Sequence, residues 1–194
     1  MKVLGITGGV GSGKSEVLNY LREEYGAVVC QMDETAKRLQ EKGTGCFRKI
    51  AEAFGPEIIG ADGELDRKKL GARVFSDPEQ LRLLNSIVHP EVLRSVSADI
   101  RKHTEEGTPL YVVEAALLPD VGGELCDEIW YIYASEEVRR ERLKASRHYP
   151  DEKITDMIAS QPSEETFRRA CTAVIDNSGP FENTERQIGE RLRL

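Results

Sequence analysis

The sequence predicts an α/β fold of three layers, a five-stranded and mostly parallel sheet with helices on both faces. Three observations carry this expectation. A strand, a glycine loop and a helix follow one another directly from Val3 onward. Short apolar runs then alternate with helical patterns, the order that builds parallel sheets through crossover connections. Finally, from about Thr44 to His103 there is no clear strand but several helical stretches. This segment is expected as a helical insertion covering about residues 35–105 of a single domain.

The first element, Val3 to Ile6, is a short apolar run of the kind that makes a buried strand. After it Gly8, Gly13, Lys14 and Ser15 occupy the fixed places of Gly-x-x-x-x-Gly-Lys-Ser. A helix should begin near Lys14, because Val17, Leu18 and Leu21 are apolar while Asn19, Arg22, Glu23 and Glu24 between them are polar. Glycines let the backbone approach an anion closely, so a row of main-chain N–H groups can point at one phosphate. Lys14 supplies a mobile positive charge for the outer phosphates, and the Ser15 hydroxyl can ligate Mg²⁺. A glycine-rich turn that binds nothing is the alternative. The strand–loop–helix context favours a nucleoside triphosphate, with Gly8, Gly9, Val10, Gly11, Ser12, Gly13, Lys14, Ser15 and Glu16 as its expected contacts.

Ala27 to Met32 reads as the second strand, followed by a helix from Glu34. Asp33 at their junction has two readings. It could cap the helix, or it could orient a substrate hydroxyl and accept its proton during phosphoryl transfer. Within the insertion, Asp66 is placed to cap a helix carrying Leu70, Val74 and Phe75, and Pro90 should end or kink the helix containing Leu83, Leu84 and Ile87. Arg67, Lys68 and Lys69 either meet an anionic ligand or form a solvated basic face.

Leu110 to Glu114 and Glu128 to Tyr133 are the third and fourth strands. Glu114, closing its run, could hold Mg²⁺ through water, cap a helix or partner Lys14. Ser135 should cap a helix whose first turn holds Glu136 and Glu137 and whose body is basic, with Arg139, Arg140, Arg142, Lys144 and Arg147. That helix is either a solvated surface, with Glu136 pairing Arg140, or part of a small lid at about 135–165. In the lid reading, Arg142 or Arg147 neutralises charge on the transferring phosphoryl group. A further helical stretch spans Pro150 to Ser160, Ala173 to Asn177 reads as the fifth strand, and an amphipathic helix with Ile188 and Leu192 ends the chain.

The bulk numbers narrow the function classes. The chain has 194 residues and a net charge of −7, with a pI near 5.2. That balance disfavours a general nucleic-acid binder, whose footprint is usually basic. The longest apolar runs are far too short to span a bilayer, and no basic-then-apolar leader precedes the first strand. Cys30, Cys46, Cys126 and Cys171 are scattered without a C-x-x-C pair, which suits reduced thiols in a cytoplasmic protein. A monomer, with no membrane or nucleic-acid partner, is expected.

Several stretches together resemble the dephospho-coenzyme A kinase family. They are Gly5 to Ser15; Asp33 with Thr35-Ala36-Lys37; Asp62 to Leu70 with Val74-Phe75; Ile87-Val88-His89-Pro90; Gln161; and Val174 to Gly179. The Asp62–Phe75 segment is the most specific, since general nucleotide kinases do not share it. The chain departs from the family at Glu114-Ala115-Ala116-Leu117-Leu118-Pro119-Asp120, at Cys171-Thr172 and at Glu16. The resemblance implies a P-loop kinase fold and transfer of a phosphoryl group from ATP, with Mg²⁺, to the ribose 3′-hydroxyl of dephospho-coenzyme A. It places Asp33 as the base, Lys14, Arg142 and Arg147 as the charge-neutralising groups, and Ser15 and Glu114 at the metal. Asp33, Asp66, Arg67 and His89 would meet the acceptor, although His89 could equally be a structural hydrogen-bonder. Rival readings are a nucleoside or nucleoside monophosphate kinase of the same fold, and a low-turnover nucleotide-binding switch.

Overall fold

The computed structural model describes residues 1–116, 118–121 and 123–192. Leu117, within the divergent segment after Glu114, lies outside them. The sheet has the strand order β2-β3-β1-β4-β5. Strand β1 (Lys2–Thr7) is central and pairs in parallel with β3 (Leu110–Glu114) and β4 (Glu128–Tyr133). Strand β5 (Ala173–Asp176) extends the sheet in parallel beyond β4, and β2 (Val28–Gln31) takes the edge beside β3. Every residue of β3 is buried, as are Val3 to Thr7 of β1. Continuous apolar strands of this kind belong to a parallel sheet covered on both faces.

The chain forms two compact units. The first comprises Met1–Cys30 and His103–Leu194 and holds the sheet. Its core joins Leu4 and Ile6 of β1, Leu110 and Val112 of β3, and Trp130 and Ile132 of β4 to flanking helices. Helix α1 (Lys14–Tyr25) contributes Val17, Leu18 and Leu21 and leaves Asn19, Glu23 and Glu24 exposed. Full burial of each such aliphatic side chain is worth about 1.5–3 kcal/mol.

The second unit, Gln31–Lys102, is helical. It contains α2 (Met32–Leu39), α3 (Gly45–Phe54), a 3₁₀ turn at Pro56–Ile58, α4 (Arg67–Ser76) and most of α5 (Pro78–Glu105). Thr44 caps α3 by accepting from Phe47 N at 3.0 Å. Asp66 caps α4 as expected, its Oδ1 accepting from Lys68 N and Lys69 N, each at 3.1 Å. Cys46, Ile50, Phe54, Ile58, Leu65, Leu70 and Val74 are buried in this unit.

Three expectations need correction. Helix α5 does not end at Pro90 but runs through it. Val88, Val92 and Val96 are buried at helical spacing on both sides of the proline, so packing holds the helix together across it. Pro90 and Ser86, four residues earlier, are both exposed, so water can serve the carbonyl that proline leaves without a donor. Next, β2 ends one residue sooner than expected and Met32 already belongs to α2. The cap position is therefore Gln31, and Asp33 is the second helical residue rather than the cap. Last, β5 stops at Asp176, which leaves Asn177 just beyond the strand.

Helices α6 (Leu118–Val121), α7 (Glu136–Arg147), α8 (Asp151–Ala159), α9 (Glu164–Ala170) and α10 (Phe181–Arg191) complete the first unit. Ser135 caps α7 by accepting from Val138 N. Helix α9, which the sequence pattern did not suggest, is capped by Ser163 and buries Phe167 flat against Tyr131, with ring centroids 4.7 Å apart.

Candidate nucleotide-binding site

The loop between β1 and α1 lies at the C-terminal end of the central strand, where open α/β sheets leave a crevice for ligands. Its start is fixed by close approach. A Cβ on Gly8 would stand 2.5 Å from the Ile132 carbonyl oxygen of β4 and 3.0 Å from Ser12 Oγ. Only glycine lets the loop pass so near the neighbouring strand. Its end is fixed by backbone conformation, because Gly13 at the head of α1 has φ 86°. Thr7, fully buried, ties the base of the loop down by donating to the Ala116 carbonyl at 2.9 Å.

A cavity of about 550 Å³ opens above the loop, lined by Gly9 to Glu16 and by Arg142, Leu143 and Arg147 of α7. That volume is ordinary for a small-molecule site. Lys14 Nζ donates to the Gly8 carbonyl at 2.6 Å and more weakly to Gly9 at 3.4 Å, so its charge sits over the loop. Arg142 Nη1 donates to the Ser12 carbonyl at 3.3 Å. Arg147 and Lys153 both act on the Tyr149 hydroxyl, and this pair of cations holds the phenol below its usual pKa. Helix dipole, loop amides and three cations thus converge on one concavity suited to a polyphosphate.

Two contact sets outside the expected residues build the cradle. Arg139, half-buried, donates from Nε to the Val10 carbonyl at 2.7 Å, while Gln161 Oε1 accepts from Val10 N at 3.0 Å. Arg139 Nη2 also donates to that Gln161 oxygen at 2.8 Å, so both polar groups of the Val10 peptide positions are held by one linked pair. Loss of water around Arg139 lowers its guanidinium pKa. The second set is Asn177, fully buried, whose Nδ2 donates to the Ser12 carbonyl at 2.9 Å. Helical spacing alone could not show that Arg139 grips the loop while Arg142 faces the cavity. Arg140 follows the surface reading, paired with Glu136 at 2.8 Å.

A model of the dephospho-CoA kinase family matches residues 2–183. The chain belongs to the dephospho-CoA kinase family. Among its relatives, the dephospho-CoA kinase of Carboxydothermus hydrogenoformans is 38% identical over 97% of this chain and 91% of its own length. That of Dehalococcoides mccartyi is 36% identical over the full length of both. A solved protein from Thermus thermophilus superposes with a TM-score of 0.81 at 33% identity, covering 98% of this chain and 96% of its own. The dephospho-CoA kinase of Campylobacter jejuni has the same fold, with a TM-score of 0.70 at 20% identity over 98% of each chain.

Of the site residues expected from this family, the structure gathers Gly9 to Glu16, Arg142 and Arg147 around one cavity. Glu114 is buried at the C-terminal end of β3, in register with Ile6 of β1. Among the described residues no group of three or more His, Cys, Asp or Glu is arranged to hold a metal ion. The other expected residues belong to the helical unit. Asp33 is exposed in the first turn of α2. The Asp66 carboxylate is committed to capping α4. Arg67 donates to Gln40 Oε1 at 3.3 Å and to the Lys37 carbonyl at 3.2 Å, tying the start of α4 to the end of α2. His89 is exposed on α5. No helix among the described residues is long and apolar enough to cross a membrane.

Proposed function

We propose that this chain transfers the γ-phosphoryl group of ATP to the ribose 3′-hydroxyl of dephospho-coenzyme A, giving coenzyme A and ADP. The observation that carries the reading is a cavity lined by Gly9 to Glu16 together with Arg142 and Arg147, in a chain whose family match spans residues 2–183. In this reading the loop amides and Lys14 bind the β- and γ-phosphates, and Arg142 and Arg147 offset the charge that spreads over the equatorial oxygens in transit. Asp33 accepts the proton of the attacking 3′-hydroxyl, so the O–P bond forms as the bond to the ADP oxygen breaks. Asp66, Arg67 and His89 belong to the acceptor side, Arg67 through its charge and Asp66 through the helix start that it fixes.

The donor set near the cradle suits magnesium: a hydroxyl at the head of α1 and a buried carboxylate at the end of the adjacent strand are hard oxygen ligands. Ser15 would hold Mg²⁺ directly and Glu114 through water, and the bound ion would supply charge neutralisation between the outer phosphates. In the same reading the enzyme works as a cytoplasmic monomer, with an acceptor-binding insertion at about residues 35–105 and a lid at about residues 135–165. Cysteines scattered along the chain without a C-x-x-C pair and a net charge of −7 support that setting.

The test is ADP release with ATP and Mg²⁺, comparing no acceptor, dephospho-coenzyme A, adenosine and nucleoside monophosphates. Strong stimulation by dephospho-coenzyme A alone, with a new phosphate at the ribose 3′ position, is the expected result. Equal stimulation by a nucleoside monophosphate would overturn the substrate assignment.

A further inference from the structure

The Ser12–Gly13 peptide presents a mechanical problem that its own residues do not solve. A peptide plane can flip by changing ψ of the first residue and φ of the second. Gly13 sits at φ 86°, and glycine accepts either sign of φ at little cost, so sterics at Gly13 do not choose between the two orientations. Ser12 does not choose either, since its hydroxyl is buried without a hydrogen-bond partner. The choice matters because the peptide is planar and trans, with C=O and N–H pointing opposite ways. In one orientation the cradle presents the Gly13 N–H to an anion; in the other it presents the Ser12 carbonyl, which repels one.

Asn177 makes the choice. Its Nδ2 donates to the Ser12 carbonyl at 2.9 Å, and its Oδ1 accepts from the Thr184 hydroxyl of α10 at 2.8 Å. All three residues are buried, Asn177 and Thr184 completely. The amide orientation is chemically forced, because the Ser12 carbonyl can only accept and must therefore face the NH₂ group. Thr184 anchors the amide so oriented from its other end, its hydroxyl donating to Asn177 Oδ1 at 2.8 Å, a shorter contact than that to the Asp176 carbonyl at 3.3 Å. Arg142 reaches the same Ser12 oxygen at 3.3 Å, but from a half-buried position at the cavity wall. A fully dehydrated, doubly anchored amide is the stiffer constraint.

We propose that Asn177, locked by Thr184, is a positioning residue for phosphoryl transfer, holding the Ser12–Gly13 peptide so that the Gly13 N–H meets the nucleotide phosphates. This rests on the nucleotide half of the proposed function and not on the identity of the acceptor. Neither Asn177 nor Thr184 lines the cavity, so their effect on the nucleotide is through the loop.

The test measures ADP affinity by titration calorimetry in Thr184→Val, Thr184→Ser and Asn177→Ala, with thermal midpoints recorded alongside. Loss of one buried hydrogen bond that orients a ligand-binding peptide should weaken ADP by roughly tenfold in Thr184→Val and in Asn177→Ala. Thr184→Ser, which keeps the hydroxyl, should restore ADP affinity to within about twofold of the parent. In turnover assays the KM for ATP should rise while that for the acceptor stays put. ADP affinity unchanged in a folded Thr184→Val protein, even with a lowered thermal midpoint, would overturn the proposal. So would a Thr184→Ser protein as impaired as Thr184→Val. If Asn177→Ala does not fold, the Thr184 pair decides alone. Because ADP binding needs no acceptor, failure of the substrate assignment would leave this measurement intact.

Discussion

A methyl group on Gly8 would press against the Ile132 carbonyl at 2.5 Å, and neither partner is a flexible side-chain end that could swing away. Gly8→Ala is therefore expected to lower stability by about 1–3 kcal/mol, as overpacking does elsewhere, and to raise the KM for ATP. Urea unfolding and ATP titration read the two effects, and an unchanged midpoint with unchanged KM would refute the packing argument. Asp33 is argued on chemistry instead. It is exposed in the first turn of α2 and does not cap that helix, so its removal should spare the fold. Asp33→Asn should cut turnover by roughly 10²–10⁴ while leaving the thermal midpoint in place. Near-normal turnover would remove it as the base. At this scale the sequence identified the glycines, Lys14 and Ser15 by type and spacing. It offered no sign of Asn177 or Arg139 as loop supports, because their partners lie 165 and 129 positions away.

Helix α5 is the element in which local rules and packing disagree. Proline inside a helix removes a donor and crowds the preceding turn, and that argued for an end or kink at Pro90. The helix does not end there: the buried series Val88, Val92 and Val96 carries it past the proline. Since an interior proline costs about 3 kcal/mol relative to alanine, Pro90→Ala should stabilise the chain by about 1–3 kcal/mol at this exposed position. Chemical denaturation reads this directly, and a destabilised variant would mean that the backbone at Pro90 is shaped for another purpose. Helix α7 shows the opposite relation. Its cap, Ser135, and its acidic first turn were legible from order alone. The partition of its arginines into one gripping Val10, two facing the cavity and one paired with Glu136 was not. That partition depends on rotation of the helix against the loop, which spacing along one helix leaves open.

The sheet as a whole gains part of its pH response from one carboxylate. Glu128, at the start of β4, accepts from the Trp130 indole at 2.9 Å and from Lys2 of β1 at 2.9 Å. The Trp130 hydrogen bond first, and then Lys2, hold its pKa below the ordinary 4.5. A carboxylate depressed in the folded state contributes stability that is fully present above the unfolded value and is lost as pH falls through the folded one. The parent should therefore lose urea resistance on acidification below about pH 4.5 more steeply than Glu128→Gln. Parallel slopes would exclude the role. What the sequence by itself determined was the strand–loop–helix cradle, the α/β class and the family, because strand runs, fixed glycines and helical periods are short-range and leave their mark in consecutive residues. Tertiary structure alone decided the strand order, the continuity of α5, and the buried Thr184–Asn177 relay beneath Ser12. Each of these is settled by contacts between residues distant in the chain, and packing energy there outweighs local preference.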